Sequence, residues 1–122
     1  MGIDLGATNL KWAVVEHEPG SGAVEGAPDA HWAILDRGQA PTRATEGPEA
    51  VIGRLVDIGR AALANRPGIV SLGIGVPGLY DPVTGATRFL VNVPGEWAGR
   101  PVAVPVSAAL GVPVVLVNDA RA

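Results

Sequence analysis

The chain has 122 residues, of which 48% are hydrophobic, so it can build a core as one domain or as one lobe of a larger protein. Its net charge of −3 argues against nucleic acid as the main partner of this segment, and the lack of cysteine excludes disulfides and thiolate metal sites. The sequence shows no apolar run of membrane-spanning length and no signal peptide, so a cytoplasmic protein is the default expectation.

The first half of the sequence predicts three strands followed by a helix. The strands are expected at residues 2–5, 10–15 and 31–37, with a flexible connection rich in Pro and Gly before the third strand. Residues 38–47 are predicted to be a connection. A helix is predicted from Pro48 to about Asn65, because proline favours the first helical turn and apolar residues then recur at helical spacing.

The second half predicts two central strands, at residues 69–76 and 113–117, because both are apolar on both faces. Between them we expect a loop at 78–85, a short extended segment at 88–93, and a helix at 102–110 that Gly111 ends. This order predicts an α/β domain with a mixed sheet, in which three antiparallel strands are followed by parallel strands and flanking helices.

A tight turn of small residues joins the first two predicted strands. Gly6 tolerates backbone angles that are closed to other residues, and Ala7 and Thr8 add little bulk. Successive N–H groups in such a turn form a concave nest that suits a phosphate, and Asp4 could hold a hydrated Mg²⁺ beside it. Thr8 adds a hydroxyl donor, and Asn9 adds an amide. A plain hairpin turn is the alternative interpretation of this stretch.

A second polar pair, Asn118 and Asp119, follows the last apolar strand, where a helix is predicted to start. Asp119 could accept the proton of a sugar hydroxyl that attacks a phosphoryl group, and Asn118 could bind neighbouring hydroxyls. The alternative is that both residues cap a helix. Ligands of such sheets bind beyond the carboxyl ends of the parallel strands, which would gather Gly78, Asn92, this pair and the Asp4 turn around one crevice.

Four segments of the chain, in order, resemble motifs of the ROK family (repressors, open reading frames, sugar kinases). Residues 2–11 (GIDLGATNLK) are similar to the family's first phosphate motif, and residues 73–81 (GIGVPGLYD) to its sugar-loop segment. Residues 92–97 (NVPGEW) resemble its asparagine–tryptophan segment, and residues 116–120 (LVNDA) its catalytic Asn-Asp motif. Together the four motifs are specific, and they extend over nearly the whole chain.

The resemblance implies that residues 1–122 are the N-terminal sugar- and phosphate-binding lobe of a two-lobed sugar kinase with an RNase H-like, actin/hexokinase-type fold. It implies that Asp119 is the general base toward a hexose 6-hydroxyl. Together with Asp119, the sugar would be held by Gly78, Asn92 and Asn118. The residues expected to face ATP and Mg²⁺ are Asp4 (also the metal ligand), Gly6, Ala7, Thr8, Asn9 and Lys11.

The resemblance also implies parts that this chain does not contain. The family's second lobe carries the adenosine site and a Cys/His zinc site, and the chain stops where a helix is predicted to start, so we expect that it is cut there. The complete protein is expected to be a homodimer. Two departures from the family pattern are visible: Ala7 stands where many members carry a second glycine, and an extra residue separates Pro94 from Trp97.

Three functions are compatible with these motifs: a glucokinase-like hexose kinase, a sugar-responsive transcriptional repressor of the same family, and a lobe that only binds sugar or a partner chain. The kinase is favoured over the repressor because no DNA-binding helix-turn-helix is visible before Met1, and the repressor stays open if the sequence is trimmed at that end. It is favoured over the binding lobe because such a module does not need both the Asp4 turn and Asp119. The identity of the sugar, and ATP against polyphosphate as the donor, stay open.

Overall fold

The computed structural model of the chain describes residues 1–17 and 32–118, except for the side chains of His17 and Trp32. The predicted general base, Asp119, lies outside the described residues, as does residue 31, the first of the predicted third strand. Neither helix of the described part is long and apolar enough to cross a membrane.

The described part of the chain forms eight strands and two α-helices. The strands are β1 (Gly2–Leu5), β2 (Asn9–His17), β3 (Trp32–Pro41), β4 (Leu72–Val76), β5 (Gly78–Tyr80), β6 (Ala86–Leu90), β7 (Arg100–Pro101) and β8 (Val114–Asn118). The helices are α1 (Pro48–Asn65), between β3 and β4, and α2 (Ala103–Leu110), between β7 and β8.

Five strands form a mixed sheet in the order β3-β2-β1-β4-β8. The first three strands of the chain pair antiparallel, and β4 pairs in parallel with both β1 and β8. The carboxyl ends of β1, β4 and β8 therefore lie at one edge of the sheet, where β1 turns into β2. The predicted α/β class with a mixed sheet is confirmed.

The two helices cover one face of this sheet. Successive residues of β1, β4 and β8 point to opposite faces, and the residues on the helix side are the more buried ones. The buried residues pack with the apolar side of α1 and with α2. This core includes Ile3, Leu5, Leu10, Val51, Leu55, Leu72, Ile74, Val76, Val106 and Leu116. The opposite face carries Asp4, the glycines of β4, and Val115 and Val117, which are 60% and 40% exposed.

A second sheet, of three strands in the order β5-β6-β7, follows β4 in the sequence. The predicted loop at 78–85 is wrong for its first residues, because 78–80 form β5 and pair antiparallel with β6. Glycine is required at the start of β5, since a Cβ on Gly78 would lie 1.9 Å from the Phe89 carbonyl oxygen. The chain reverses its direction at residues 81–85, where the sequence also predicts turns. The Asp81 N–H donates to the Ala86 carbonyl across this reversal.

The connection predicted at residues 38–47 is shorter than expected, because β3 continues beside β2 as far as Pro41. Gly38 makes this pairing possible: the indole of Trp12 lies across it, and a Cβ there would be 2.4 Å from the ring. A single 3₁₀ turn, Ala44–Glu46, then leads into α1.

The helix bounds agree with the sequence-based expectations. α1 begins at Pro48 and ends at Asn65, and α2 begins one residue later than predicted. Gly111 caps α2 in a left-handed conformation with a φ of 74°, as glycine commonly does after a helix.

Candidate functional site

The turn between β1 and β2 leaves two backbone N–H groups available to a ligand. The Gly6 N–H closes the turn by donating to the Asn9 carbonyl at 3.1 Å. Among the residues that the structure describes, the N–H groups of Ala7 and Thr8 donate to no other group, and both residues are exposed. The turn can therefore offer these two donors to an anion.

The reason for glycine at position 6 differs from the expectation. Gly6 does not adopt a positive φ, so the predicted need for unusual backbone angles is wrong. A Cβ on Gly6 would instead lie 2.6 Å from the carbonyl oxygen of Asn9, a backbone atom that cannot swing aside. Glycine allows the two ends of the turn to approach each other closely.

Asp4 of β1 and Lys11 of β2 are directly paired on the exposed face of the sheet. The Cβ atoms of such a pair are about 5 Å apart, so the acidic and the basic side chain leave the sheet at neighbouring positions next to the turn. On its other side Asp4 pairs with Gly75 of β4, which adds no side chain that would block access.

A single exposed carboxylate beside an anion-binding turn fits Mg²⁺, which keeps much of its water and takes one or two carboxylates together with phosphate oxygens. Within residues 1–17 and 32–118, no group of three or more His, Cys, Asp and Glu side chains could hold a metal ion. A metal at this edge would therefore be held jointly by Asp4 and by a phosphate ligand.

The turn is stabilised by two residues that the sequence does not indicate as part of the site, Thr42 and Arg54. The Thr42 hydroxyl donates to the Gly6 carbonyl at 2.8 Å, and the Thr42 N–H donates to the Thr8 carbonyl at 2.9 Å. Arg54 of α1 donates to the Thr42 carbonyl at 2.7 Å. No local pattern reveals these contacts, because Thr42 and Gly6 are 36 positions apart.

The second group of candidate residues lies where β4 ends and β5 begins. The half-buried side chain of Asn118, the last residue of β8, donates to the Gly78 carbonyl at 2.7 Å. Nearby, the Val91 N–H donates to the Pro77 carbonyl at 2.7 Å, which holds Asn92 next to the same junction. Asn92 is exposed and has a φ of 58°, a conformation that asparagine adopts more readily than most residues.

These two groups lie at the same edge of the five-stranded sheet, on either side of β4. β1 leads into the Gly6–Asn9 turn, and β8 ends at Asn118. Two strand spacings place the ends of β1 and β8 roughly 10 Å apart. The Asp4 turn, Gly78 and Asn118 thus lie at the carboxyl ends of the three neighbouring strands β1, β4 and β8. Asp119, outside the described residues, is the next residue in the sequence after Asn118.

Two other residues of these motifs have structural roles. Trp97 is 3% exposed, and its indole N–H donates to a nearby backbone carbonyl at 3.2 Å, so it belongs to the core. The Asp81 carboxylate accepts the N–H groups of Val83 at 2.8 Å and of Thr84 at 3.3 Å. These bonds, and then the nearby Arg88 guanidinium, hold the pKa of Asp81 below its ordinary value.

Two clefts in the described part of the chain lie away from the candidate residues. One, of about 420 Å³, is bounded by the 81–85 turn, α2 and β8. The other, of about 580 Å³, lies at the amino ends of the strands, near Met1 and Ser71. Neither is lined by a candidate residue that the structure describes.

Comparison with known proteins gives one family. The sequence model of the ROK family matches residues 1–122, the whole chain. The glucokinase of Streptomyces coelicolor is 30% identical over all 122 residues, which correspond to 33% of that protein. The chain thus spans about a third of the length of this curated relative.

Solved structures of ROK proteins have the same fold. A ROK hexokinase from Thermus thermophilus superposes with a TM-score of 0.69 at 27% identity, over 98% of this chain and 34% of that one. A ROK family transcriptional regulator, a homologue of the E. coli MLC protein, superposes with a TM-score of 0.68 at 20% identity, over 98% of this chain and 27% of that one. From the family match over its full length, the chain belongs to the ROK family.

Proposed function

We propose that the intact protein transfers the terminal phosphoryl group of ATP to the 6-hydroxyl of a hexose, as a glucokinase-like enzyme. This chain would be its N-terminal lobe, of the RNase H-like, actin/hexokinase type. The observation that carries the proposal is the presence, at one sheet edge, of a turn with two available N–H groups and of the Asn118–Gly78 pair. Family membership and the similarity to a glucokinase support it.

On the nucleotide side, the N–H groups of Ala7 and Thr8 would bind phosphate oxygens, and the Lys11 ammonium would offset their charge. Gly6 and Asn9 would keep the turn closed. Mg²⁺, held by Asp4 and the phosphates, would neutralise charge on the transferring group when it is bound. Phosphoryl transfer depends mostly on such positioning and charge neutralisation.

On the sugar side, Gly78, Asn92 and Asn118 would hold the hexose together with Asp119. The Asp119 carboxylate would accept the proton of the 6-hydroxyl as that oxygen bonds to the terminal phosphorus. The bond from this phosphorus to the bridging oxygen of ATP breaks, and ADP leaves. The accepted proton then passes from Asp119 to solvent.

We propose that a second lobe of the intact protein supplies the other wall of the site. This chain accounts for only 33% of the length of the related glucokinase, and the turn residues Ala7 and Thr8 are exposed in it. The isolated 122 residues would therefore not turn over ATP. The adenosine pocket, and zinc if the intact protein contains it, would belong to that lobe, and the intact protein would be a homodimer.

ADP release by the intact protein, measured with ATP and Mg²⁺ against a panel of hexoses, tests the kinase proposal. Turnover with one sugar would support it and would name the substrate. Polyphosphate in place of ATP checks the donor. A sugar-phosphorylating activity of the isolated 122 residues would contradict the assignment of this chain as an incomplete lobe.

The alternative is the sugar-sensing lobe of a ROK-type transcriptional repressor. Its support is the regulator's TM-score of 0.68, almost equal to the 0.69 of the hexokinase. A sugar-dependent rise in Tm of the intact protein without any turnover would favour the repressor and contradict the kinase.

A further inference from the structure

Thr42 holds both ends of the β1–β2 turn. It is fully buried, with 0% of its surface exposed, although it carries a polar side chain. Its hydroxyl donates to the Gly6 carbonyl at 2.8 Å, and its backbone N–H donates to the Thr8 carbonyl at 2.9 Å. One residue of the β3–α1 connection therefore binds the carbonyl groups on either side of Ala7.

The bond from the Thr42 hydroxyl to the Gly6 carbonyl determines where one of the two available N–H groups, that of Ala7, points. The Gly6 carbonyl and the Ala7 N–H belong to the same planar trans peptide, in which the two groups point in opposite directions. Because the carbonyl points to Thr42, the Ala7 N–H points away from Thr42, and Ala7 is on the exposed side of the turn. Rotation of this peptide plane would turn the donor away from an anion.

Thr42 is itself held in place by a hydrogen bond from Arg54 of α1. The Arg54 guanidinium donates to the carbonyls of Thr42 at 2.7 Å and of Arg43 at 3.3 Å, and it pairs with the carboxylate of Glu46. Arg43 has a φ of 50°, which is unfavourable for residues other than glycine, so this connection needs such support. Arg54 thereby joins the turn to an 18-residue helix that packs into the core.

We propose that Thr42 and Arg54 are positioning residues that keep the β1–β2 turn in its phosphate-binding shape, so that they control affinity for the nucleotide and not for the sugar. This inference rests on the proposed kinase function, because it assigns the turn to the nucleotide phosphates. Neither residue touches the ligand: Thr42 acts through Gly6 and Thr8, and Arg54 acts through Thr42.

The test compares three variants of the intact protein. Thr42→Val keeps the shape and removes the hydroxyl, whereas Thr42→Ser keeps the hydroxyl. Thr87→Val is the matched control: Thr87 is also 0% exposed, and its hydroxyl donates to the Trp97 carbonyl at 2.7 Å in the second sheet. The probes are Mg²⁺ with a non-hydrolysable ATP analogue, and separately the sugar, each measured by calorimetry for its Kd.

Thr42→Val should raise the Kd of the nucleotide analogue about tenfold, the equivalent of one lost hydrogen bond, and leave the Kd of the sugar unchanged. Thr42→Ser should restore the wild-type nucleotide Kd. Thr87→Val should lower Tm to a similar extent without changing the nucleotide Kd. If Thr42→Val does not fold, Arg54→Lys tests the inference instead. Lysine keeps the positive charge but lacks the planar guanidinium that reaches two carbonyls. The Kd of the nucleotide should then rise and the Kd of the sugar should not change.

The inference is overturned if Thr42→Val binds the nucleotide with the same Kd as wild type. Where Thr42→Val does not fold, the same comparison is made with Arg54→Lys. An equal loss of nucleotide and sugar affinity would overturn the inference too, because it indicates a general loss of structure. A wild-type protein that binds no Mg²⁺–nucleotide would also overturn it. If the wild type turns over a hexose and Thr42→Val keeps the wild-type nucleotide Kd, this inference is wrong while the kinase proposal still holds.

Discussion

The Asn118 side chain donates a 2.7 Å hydrogen bond to the Gly78 carbonyl, across 40 positions of sequence. This contact joins the last strand of the large sheet to the first strand of the small one. The Gly78 backbone is itself fixed by its close approach to the Phe89 carbonyl. The amide of Asn118 is therefore held in one orientation, directly before the proposed general base in the sequence.

Asp119→Asn should abolish phosphoryl transfer and largely preserve sugar binding, because an amide cannot accept the proton of the 6-hydroxyl. We expect kcat to fall by about 10²–10⁴-fold, the usual contribution of a general base. The matched control is Asp81→Asn, an acid in an exposed turn outside the proposed site, which should keep its activity. Near-normal turnover of Asp119→Asn would mean that Asp119 only caps a helix.

Asn118→Asp should weaken sugar binding, because a carboxylate cannot donate to the Gly78 carbonyl and would be repelled by it. Loss of this bond should raise the Kd of the sugar roughly tenfold, measured by calorimetry on the intact protein. The same change at Asn65, which is exposed at the end of α1, should have no effect. Equal sugar affinities for the two variants would show that the Asn118–Gly78 contact does not shape the sugar site.

Gly78→Ala should destabilise the protein strongly, because the new Cβ would lie 1.9 Å from a backbone oxygen of the paired strand. We expect a loss of about 3 kcal/mol or more in the free energy of unfolding, the upper range for overpacking. Gly53→Ala in α1 is the control: its Cβ meets nothing within 4 Å, and alanine should add about 0.5–1 kcal/mol of stability. Urea unfolding measures both, and a neutral Gly78→Ala would contradict the β5–β6 pairing.

Asp81 should stabilise its turn in a manner that depends on pH. Its pKa is lowered from 3.8, first by the bond from the Val83 N–H, so the folded state favours the charged form. The stabilisation is then complete above the unfolded-state pKa and is lost as the pH falls through the lower native value. Asp81→Ala should lower Tm at neutral pH, and its difference from wild type should shrink below about pH 4.

Calorimetric Tm values across this pH range measure the effect. Asp81→Asn is a useful comparison, because its amide oxygen can still accept the Val83 N–H. It should lose less stability than Asp81→Ala at neutral pH. A constant difference between wild type and Asp81→Ala down to low pH would show that the charge of the carboxyl is unimportant.

The helices were predictable from the sequence because their signals are local. Pro48 in the first turn and the apolar spacing that follows it define the start and the packed side of α1. Gly111 ends α2 because a left-handed cap favours glycine. The strands were less predictable: β3 extends to Pro41 and β5 forms at residues 78–80 because each has a partner strand that the local pattern does not reveal.

The candidate site was predictable in part. The motifs pointed to the Asp4 turn and to Asn118, and the parallel pairing of β1, β4 and β8 brings their ends to one edge. The support of the turn by Thr42 was not predictable, because it depends on the register that places Pro41 beside Asn9. The reason for glycine at position 6 is not visible in the sequence either, because the constraint is the close approach of Gly6 to the Asn9 carbonyl in the folded turn.

Local sequence signals predict the class of the fold and the two helices, and the order of the motifs along the chain indicates the ROK family. These features depend on residues close together in the chain, where caps, turns and periodicity act. The carbonyls that Thr42 and Asn118 bind are known only from the folded chain, because they are 36 and 40 residues away in the sequence. Such bonds leave no local pattern, because a donor and an acceptor meet only after the sheet has set the register of its strands.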